Sequence, residues 1–124
     1  MKVIGVVWVG TRTEKFDETV AFFRDVLGVP LDEVEQDFAW SRMPNTSQLE
    51  IFGPRNAEHD HFTTGPVPEF LVEDLSVALE ELRAAGVEIL GEPSVQGADG
   101  WLHFRGPDGN AYGLTAAPTY HRPA

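Results

Sequence analysis

FRGPDGNAYGLT, residues 104–115, reads as a strand, a tight turn and a second strand. Pro107 presets φ, Asp108 and Asn110 bond back onto the backbone, and Gly109 takes positive φ without steric cost, so Pro107–Asn110 is the turn. Trp101–Arg105 and Ala111–Thr115 flank it with aromatic and β-favouring residues. The second strand has an earlier counterpart in LEIFGP, residues 49–54: Ile51 and Leu114 lie 63 apart, as do Val7 and Phe70, and Val9 and Val72. The glycines that end the two expected helices, Gly28 and Gly86, lie 58 apart. Offsets that agree at both ends and dip between them describe a tandem repeat. The first copy carries about five extra residues before or within its helix.

Each copy reads as strand, helix and three strands. In the first, Val3–Val9 is a continuous β-rich run, and Thr11-Arg12-Thr13-Glu14 has the form of a capping box. Phe16, Val20, Phe23 and Leu27 then recur at helical spacing up to Gly28. Strands are expected around Leu31–Glu35, Phe38–Met43 and Gln48–Phe52. In the second copy, Glu69–Glu73 is a strand and Asp74 caps a helix carrying Leu75, Leu79 and Leu82. Strands at Val87–Leu90, Trp101–Arg105 and Ala111–Thr115 follow. The expected layout is one domain over 1–124: a βαβββ unit at 3–54, a polar linker at 55–66, a second unit at 67–116 and an irregular tail at 117–124. The fold class is α+β, a curved mixed sheet with helices on its outer face.

Alternation along the strands assigns faces. Gly5, Val7, Val9, Leu49, Ile51, Phe70, Val72, Tyr112 and Leu114 form an apolar set expected under the helices. The opposite set holds Ile4, Val6, Trp8, Gln48, Glu50, Phe52, Val67, Glu69, Leu71, Ala111, Gly113 and Thr115. Carboxylates mixed with apolar groups make this the composition of a ligand cavity rather than a core.

Composition narrows the function. Nine Lys and Arg against 20 Asp and Glu leave a net charge of −11, which disfavours nucleic acid and anionic membranes as partners. The absence of cysteine excludes disulfides, a thiol nucleophile and thiolate metal sites. No apolar run approaches a membrane span, and Met1–Gly5 lacks the features of a signal peptide. A cytoplasmic protein is expected.

Two βαβββ units, together with FFRDVLGVPL (22–31), LEIFGP (49–54) and FRGPDGNAYGLT (104–115), resemble the vicinal oxygen chelate superfamily of glyoxalases, bleomycin-resistance proteins and extradiol dioxygenases. The resemblance covers residues 3–116. It implies a ligand cavity in the curved sheet and a homodimer. In metal-dependent members, one divalent ion is held by the first and last strands of each unit, usually through His, Gln or Glu. Carried over, those positions are Ile4, Glu50, Val67 and Gly113, with Trp8 in place of Ile4 in an alternative register. Only Glu50 among them can ligate, against the three protein ligands of a usual catalytic site. No metal and no other cofactor is therefore expected.

The candidate ligand-binding residues are Trp8, Trp40, Glu50, Phe52, Glu69, Trp101 and His103. Aromatic walls stack on flat or cationic ligands, and carboxylates facing a cavity need a compensating positive charge or a raised pKa. Phe38, Trp40 and Arg42 share one face, and Trp101 and His103 share one; which face is open at this point. His59 and His61 have metal-like spacing but lie in the polar linker, where solvent exposure is expected. The expected function is metal-free capture of a small aromatic or cationic ligand, as in bleomycin-resistance-like proteins. The alternatives are an enzyme of the same superfamily and a structural or regulatory dimer with a vestigial cavity. The enzyme would be an isomerase, lyase or dioxygenase with an atypical metal site, or would use Glu50, Glu69 or His103 as metal-free acid and base.

Overall fold

The structure, a computed structural model, describes residues 1–117. The expected irregular tail, with His121, lies from residue 118 onward outside those residues. The strands are β1 (Val3–Arg12), β2 (Glu33–Glu35), β3 (Phe38–Arg42), β4 (Gln48–Phe52), β5 (Val67–Val72), β6 (Ile89–Gln96), β7 (Asp99–Arg105) and β8 (Ala111–Ala116). Two helices, α1 (Phe16–Ala21) and α2 (Leu75–Ala84), connect the first and second strands of each unit.

All eight strands form one mixed sheet in the order β2-β3-β4-β1-β5-β8-β7-β6. Read outward from its middle, each half is first strand, last strand, third strand, second strand, so the sequence repeat is also a topological repeat. The halves meet where β1 runs antiparallel to β5. Within each half the first and last strands are parallel.

The helices cover one face. Phe16 and Val20 of α1 pack on Ala39, Leu49 and Ile51, with Val9 beside them. Leu75, Ala78 and Leu79 of α2 pack on Val72, Leu102, Leu114 and Ala116, with Phe70 beside them. Full burial of one such side chain is worth roughly 1.5–3 kcal/mol. Asp74 caps α2, its Oδ1 accepting from the Val77 N–H at 3.1 Å.

The first helix departs from expectation at both ends. No capping box forms, because β1 runs on to Arg12 and pairs Thr11 with Ile51 and Arg12 with Phe52. Sheet pairing takes up the backbone that a cap would have used, and Lys15 precedes the helix without a side-chain cap. After Ala21 the helix widens into a π-helical turn, Phe22–Val26, before Gly28 ends it at φ +70°. Phe16 and Leu75, the first residues of the two helices, are 59 apart. The register gives the first strands the same offset, since Thr11 pairs with Ile51 as Phe70 pairs with Leu114. The match of Val7 with Phe70 does not hold, and of the extra residues expected before or within the first helix the structure shows only the inserted residue of the π turn.

Two strands differ as well. β6 extends to Gln96, through Gly91 and Pro93, with an irregularity between Leu90 and Ser94. It lies at the sheet edge, where proline is tolerated. β1 has register shifts between Val3 and Gly5 and between Val6 and Trp8. Strict alternation fails there: Gly5 lies opposite Leu71 on the inner face, and Val6 lies opposite Phe70 on the helix side. The opposite assignment had followed from unbroken period-two reading, which a bulge interrupts. Trp8, beyond the second shift, lies opposite Glu69 on the inner face as expected.

Candidate functional site

One row of residues crosses four neighbouring strands on the inner face. Trp8 of β1 lies opposite Glu69 of β5, Glu69 opposite Gly113 of β8, and Gly113 opposite His103 of β7. The glycine is required by what leans over it. A Cβ at Gly113 would stand 2.6 Å from Glu69 Cγ and 2.8 Å from His103 Cδ2. Across this gap Glu69 Oε2 and His103 Nε2 are 2.6 Å apart, with both side chains buried. On the other side of Trp8, its indole N–H donates to Glu50 Oε2.

Above this row lies a cleft of about 400 Å³. Trp8, Glu50, Glu69 and Trp101 line it, together with Arg42, Gln48, and Glu58 and His59 of the linker. Trp101 is 40% exposed at its rim.

Burial dominates the electrostatics. It pushes the Glu50 carboxyl up to about 7; the Trp8 N–H opposes the shift, and the like charges of Glu69 and Glu58 add to it. Burial also holds Glu69 well above the ordinary carboxylate range and takes the His103 imidazole down to about 4. Burial thus opposes charge on both partners of the Glu69–His103 hydrogen bond. A carboxyl that titrates near neutrality inside a cleft can meet a cation when ionised, or donate and accept a proton.

Most of the linker is exposed, as its polar composition suggests, but Phe62 and the histidines beside it are not. Phe62, 3% exposed, plugs the inner face beside Trp8, Phe52, Val67, Leu90 and Ala111. This carries the flanking histidines onto the sheet. His59 stacks on Phe62 at 5.0 Å between ring centroids, and burial lowers its pKa to about 4. His61 Nε2 lies 3.1 Å from His103 Nδ1. One ring nitrogen from each of His59, His61 and His103 falls within 4.8 Å of the others. Arg12, at the unexpected end of β1, clamps the segment by donating to the carbonyls of Gly53 at 3.1 Å, His59 at 3.3 Å and Glu58. The residue patterns of 55–66 gave one signal of this, Phe62 alone among polar neighbours.

Of the seven candidate residues, the structure brings Trp8, Glu50, Glu69 and Trp101 together around the cleft. His103 lies beneath its wall, bonded to Glu69. Phe52 is fully buried against Phe62 and Phe38 and is packed away from the cleft. Trp40 lies opposite Glu50 on the inner face, one strand farther out. Phe38 and Arg42 share that face, and Trp101 and His103 share it from β7.

The register also corrects the four positions that the resemblance assigns to a divalent ion. The inner-face residues of β1, β4, β5 and β8 that gather at the centre are Trp8, Glu50, Glu69 and Gly113. Ile4 falls in the first register shift of β1, and Val67 is buried in the Phe62 cluster. The corrected set does not fit an ion. An indole N–H has no lone pair to offer, glycine has no side chain, and the two carboxyls are bonded to Trp8 and His103.

The fold has many solved counterparts. The chain superposes on methylmalonyl-CoA epimerase from Mycobacterium tuberculosis with a TM-score of 0.68 at 24% identity, over 94% of this chain and 90% of that one. It superposes on the Mn(II)-bound glyoxalase from Novosphingobium aromaticivorans with a TM-score of 0.69 at 21% identity, over 93% of this chain and 39% of that one. A superfamily member from Vibrio splendidus gives 0.60 at 16% identity, over 90% and 97%. No curated protein matches the sequence. None of the helices among the described residues is long and apolar enough to cross a membrane. The family model of the Glyoxalase/Bleomycin resistance protein/Dioxygenase superfamily matches residues 5–114, which span both βαβββ units and their paired sheet; the chain belongs to that superfamily.

Proposed function

We propose that the cleft captures a small aromatic or cationic molecule between Trp8 and Trp101, with Glu50 and Glu69 meeting its positive charge. One observation carries this reading. Glu50 is a partly buried carboxyl held by an indole N–H and raised to about 7 by burial and by neighbouring acidic groups. A cation in the cleft would relieve that penalty and restore ionisation. The protein works as a homodimer, in which a second copy covers the rim where Trp101 is exposed.

The test is tryptophan quenching by an aromatic quaternary ammonium probe and by its neutral carbon isostere. The ammonium binds at least about tenfold tighter, a difference of about 1.4 kcal/mol, and Glu50→Gln removes the preference. Equal binding of both probes, or preference unchanged in Glu50→Gln, removes the cation-binding role. Sedimentation at micromolar concentration tests the dimer.

A second reading is favoured by the same pKa. A carboxyl near 7 is matched to general acid–base work at physiological pH, so the cleft is equipped to move a proton on a bound carbon acid. The epimerase and glyoxalase among the structural neighbours share the fold at identities that carry no more than the fold. Exchange of substrate hydrogen with deuterated solvent, lost in Glu50→Gln, distinguishes this enzyme from a protein of pure capture.

A further inference from the structure

We infer that His59, His61 and His103 form a binding site for a divalent transition-metal ion of the zinc type, separate from the positions used by metal-dependent members of the superfamily. It stands against the expectation of a metal-free protein. It rests on residues that the capture reading uses only in part.

Spacing is the first support. Two nitrogens on a tetrahedral zinc, each about 2.0–2.1 Å from the ion, stand about 3.3–3.4 Å apart. His61 Nε2 and His103 Nδ1 already face each other at 3.1 Å. The nitrogen of His59 lies within 4.8 Å of both, so closing the trio takes a movement of one partly buried ring. Imidazoles alone suit zinc, copper, nickel and iron over magnesium and calcium.

Orientation is the second. His103 turns its Nε2 to Glu69 Oε2 at 2.6 Å, which leaves Nδ1 directed at the other two histidines. A carboxylate behind a ligating imidazole fixes the tautomer and ring orientation in known metal sites. Here that carboxyl is buried with its partner and aligned by the Gly113 gap.

The backbone around the trio is held in place. Arg12 bonds to the carbonyls of Gly53, Glu58 and His59, and the Phe62 N–H donates to the His59 carbonyl at 3.0 Å. His59 itself sits at φ +57°, a left-handed conformation that costs a side chain energy and persists where the surroundings impose it. His61 enters over Gly91, where a Cβ would stand 2.9 Å from its Cε1. Three protein ligands leave a fourth position for water or a ligand. His59 also lines the cleft, so the ion would border the space where a small molecule binds. Glu58 Oε1, 3.6 Å from His59 Nε2, adds negative charge beside it.

The experiment uses the whole chain, stripped with chelator and titrated with Zn²⁺ by calorimetry, with Co²⁺ as a spectroscopic probe. The expected result is one equivalent of Zn²⁺ and a raised Tm, with a visible Co²⁺ spectrum of tetrahedral type. His61→Ala weakens binding at least about 100-fold and abolishes that spectrum; Glu69→Gln weakens it about 10–100-fold. Glu50→Gln binds as the parent does. His61→Gln stands in if His61→Ala does not fold, judged by circular dichroism of the metal-free variants. The inference is overturned if Zn²⁺ at about 100 µM leaves Tm unmoved. It is equally overturned if His61 and His59 variants bind like the parent, or if Glu50→Gln abolishes binding.

Discussion

Glu69 and His103, 34 residues apart in sequence, meet at 2.6 Å over the backbone of Gly113, with their side chains 5% and 3% exposed. The pair is a buried polar contact of the inner face, and its formation depends on the missing side chain between them. Gly113→Ala therefore pushes both groups aside. Overpacking of this kind costs about 1–3 kcal/mol, a fall of about 4–12 °C in Tm for a domain of this size. Thermal melting of the purified variant checks it; an unchanged Tm would mean the two side chains yield without loss.

Glu50 sets a pH dependence of stability. Its folded pKa, about 7, lies above the ordinary value of 4.5, so the folded state holds a proton that the unfolded chain has released. Stability from this group is full below about pH 4.5, falls as pH rises, and is lost once pH passes the folded pKa. The loss amounts to at most about 3 kcal/mol. Glu50→Gln removes this slope. Urea midpoints from pH 4.5 to 8 should show the variant gaining on the parent as pH increases, and parallel curves would refute the raised pKa.

Phe62 fastens the linker to the sheet. Phe62→Ala opens a cavity among Trp8, Phe52 and Val67, at a cost of about 3 kcal/mol. The effect is local first: amides of 55–66 exchange faster while those of α2, on the other face, keep their protection. Hydrogen-exchange mass spectrometry reads both segments at once. Uniform acceleration across the chain would show that the linker is no separate unit of stability.

The two helix starts differ in a way that single substitutions expose. Asp74→Ala loses a side-chain cap and about 1 kcal/mol. Glu14→Ala loses nothing comparable, since no capping box forms before α1. Paired denaturation curves decide the matter, and equal costs would restore the box.

What the sequence could reveal was whatever local chemistry dictates. The Pro107–Asn110 turn, the Asp74 cap and the 63-residue offset of the last strands are properties of short segments or their repetition, and each is found in the fold. Trp8, Glu50 and Glu69 could be placed on one face because strands alternate. The bulges of β1 could not be seen, since an extra residue in a run of Val and Ile leaves no mark on its pattern, and neither could the register that sets Trp8 opposite Glu69 and Glu69 opposite Gly113. The histidine trio was hidden for a different reason. His103 is 42 residues from His61, and a polar linker gives no hint that Phe62 will anchor it over the sheet.

The segment that joins the two halves has an evolutionary implication. Two separate half-length chains could in principle build the eight-stranded sheet, because β1 and β5 meet edge to edge through backbone bonds. They could not build the layer above it, because residues 55–66 exist only as the bridge from one half to the other. His59, His61 and Phe62 thus belong to the joined chain rather than to either repeat, and Phe62 ties the two together by packing on Trp8 and Phe52 of one and on Val67, Leu90 and Ala111 of the other. A specialised chemistry added there breaks the symmetry of the duplicated scaffold on one side only.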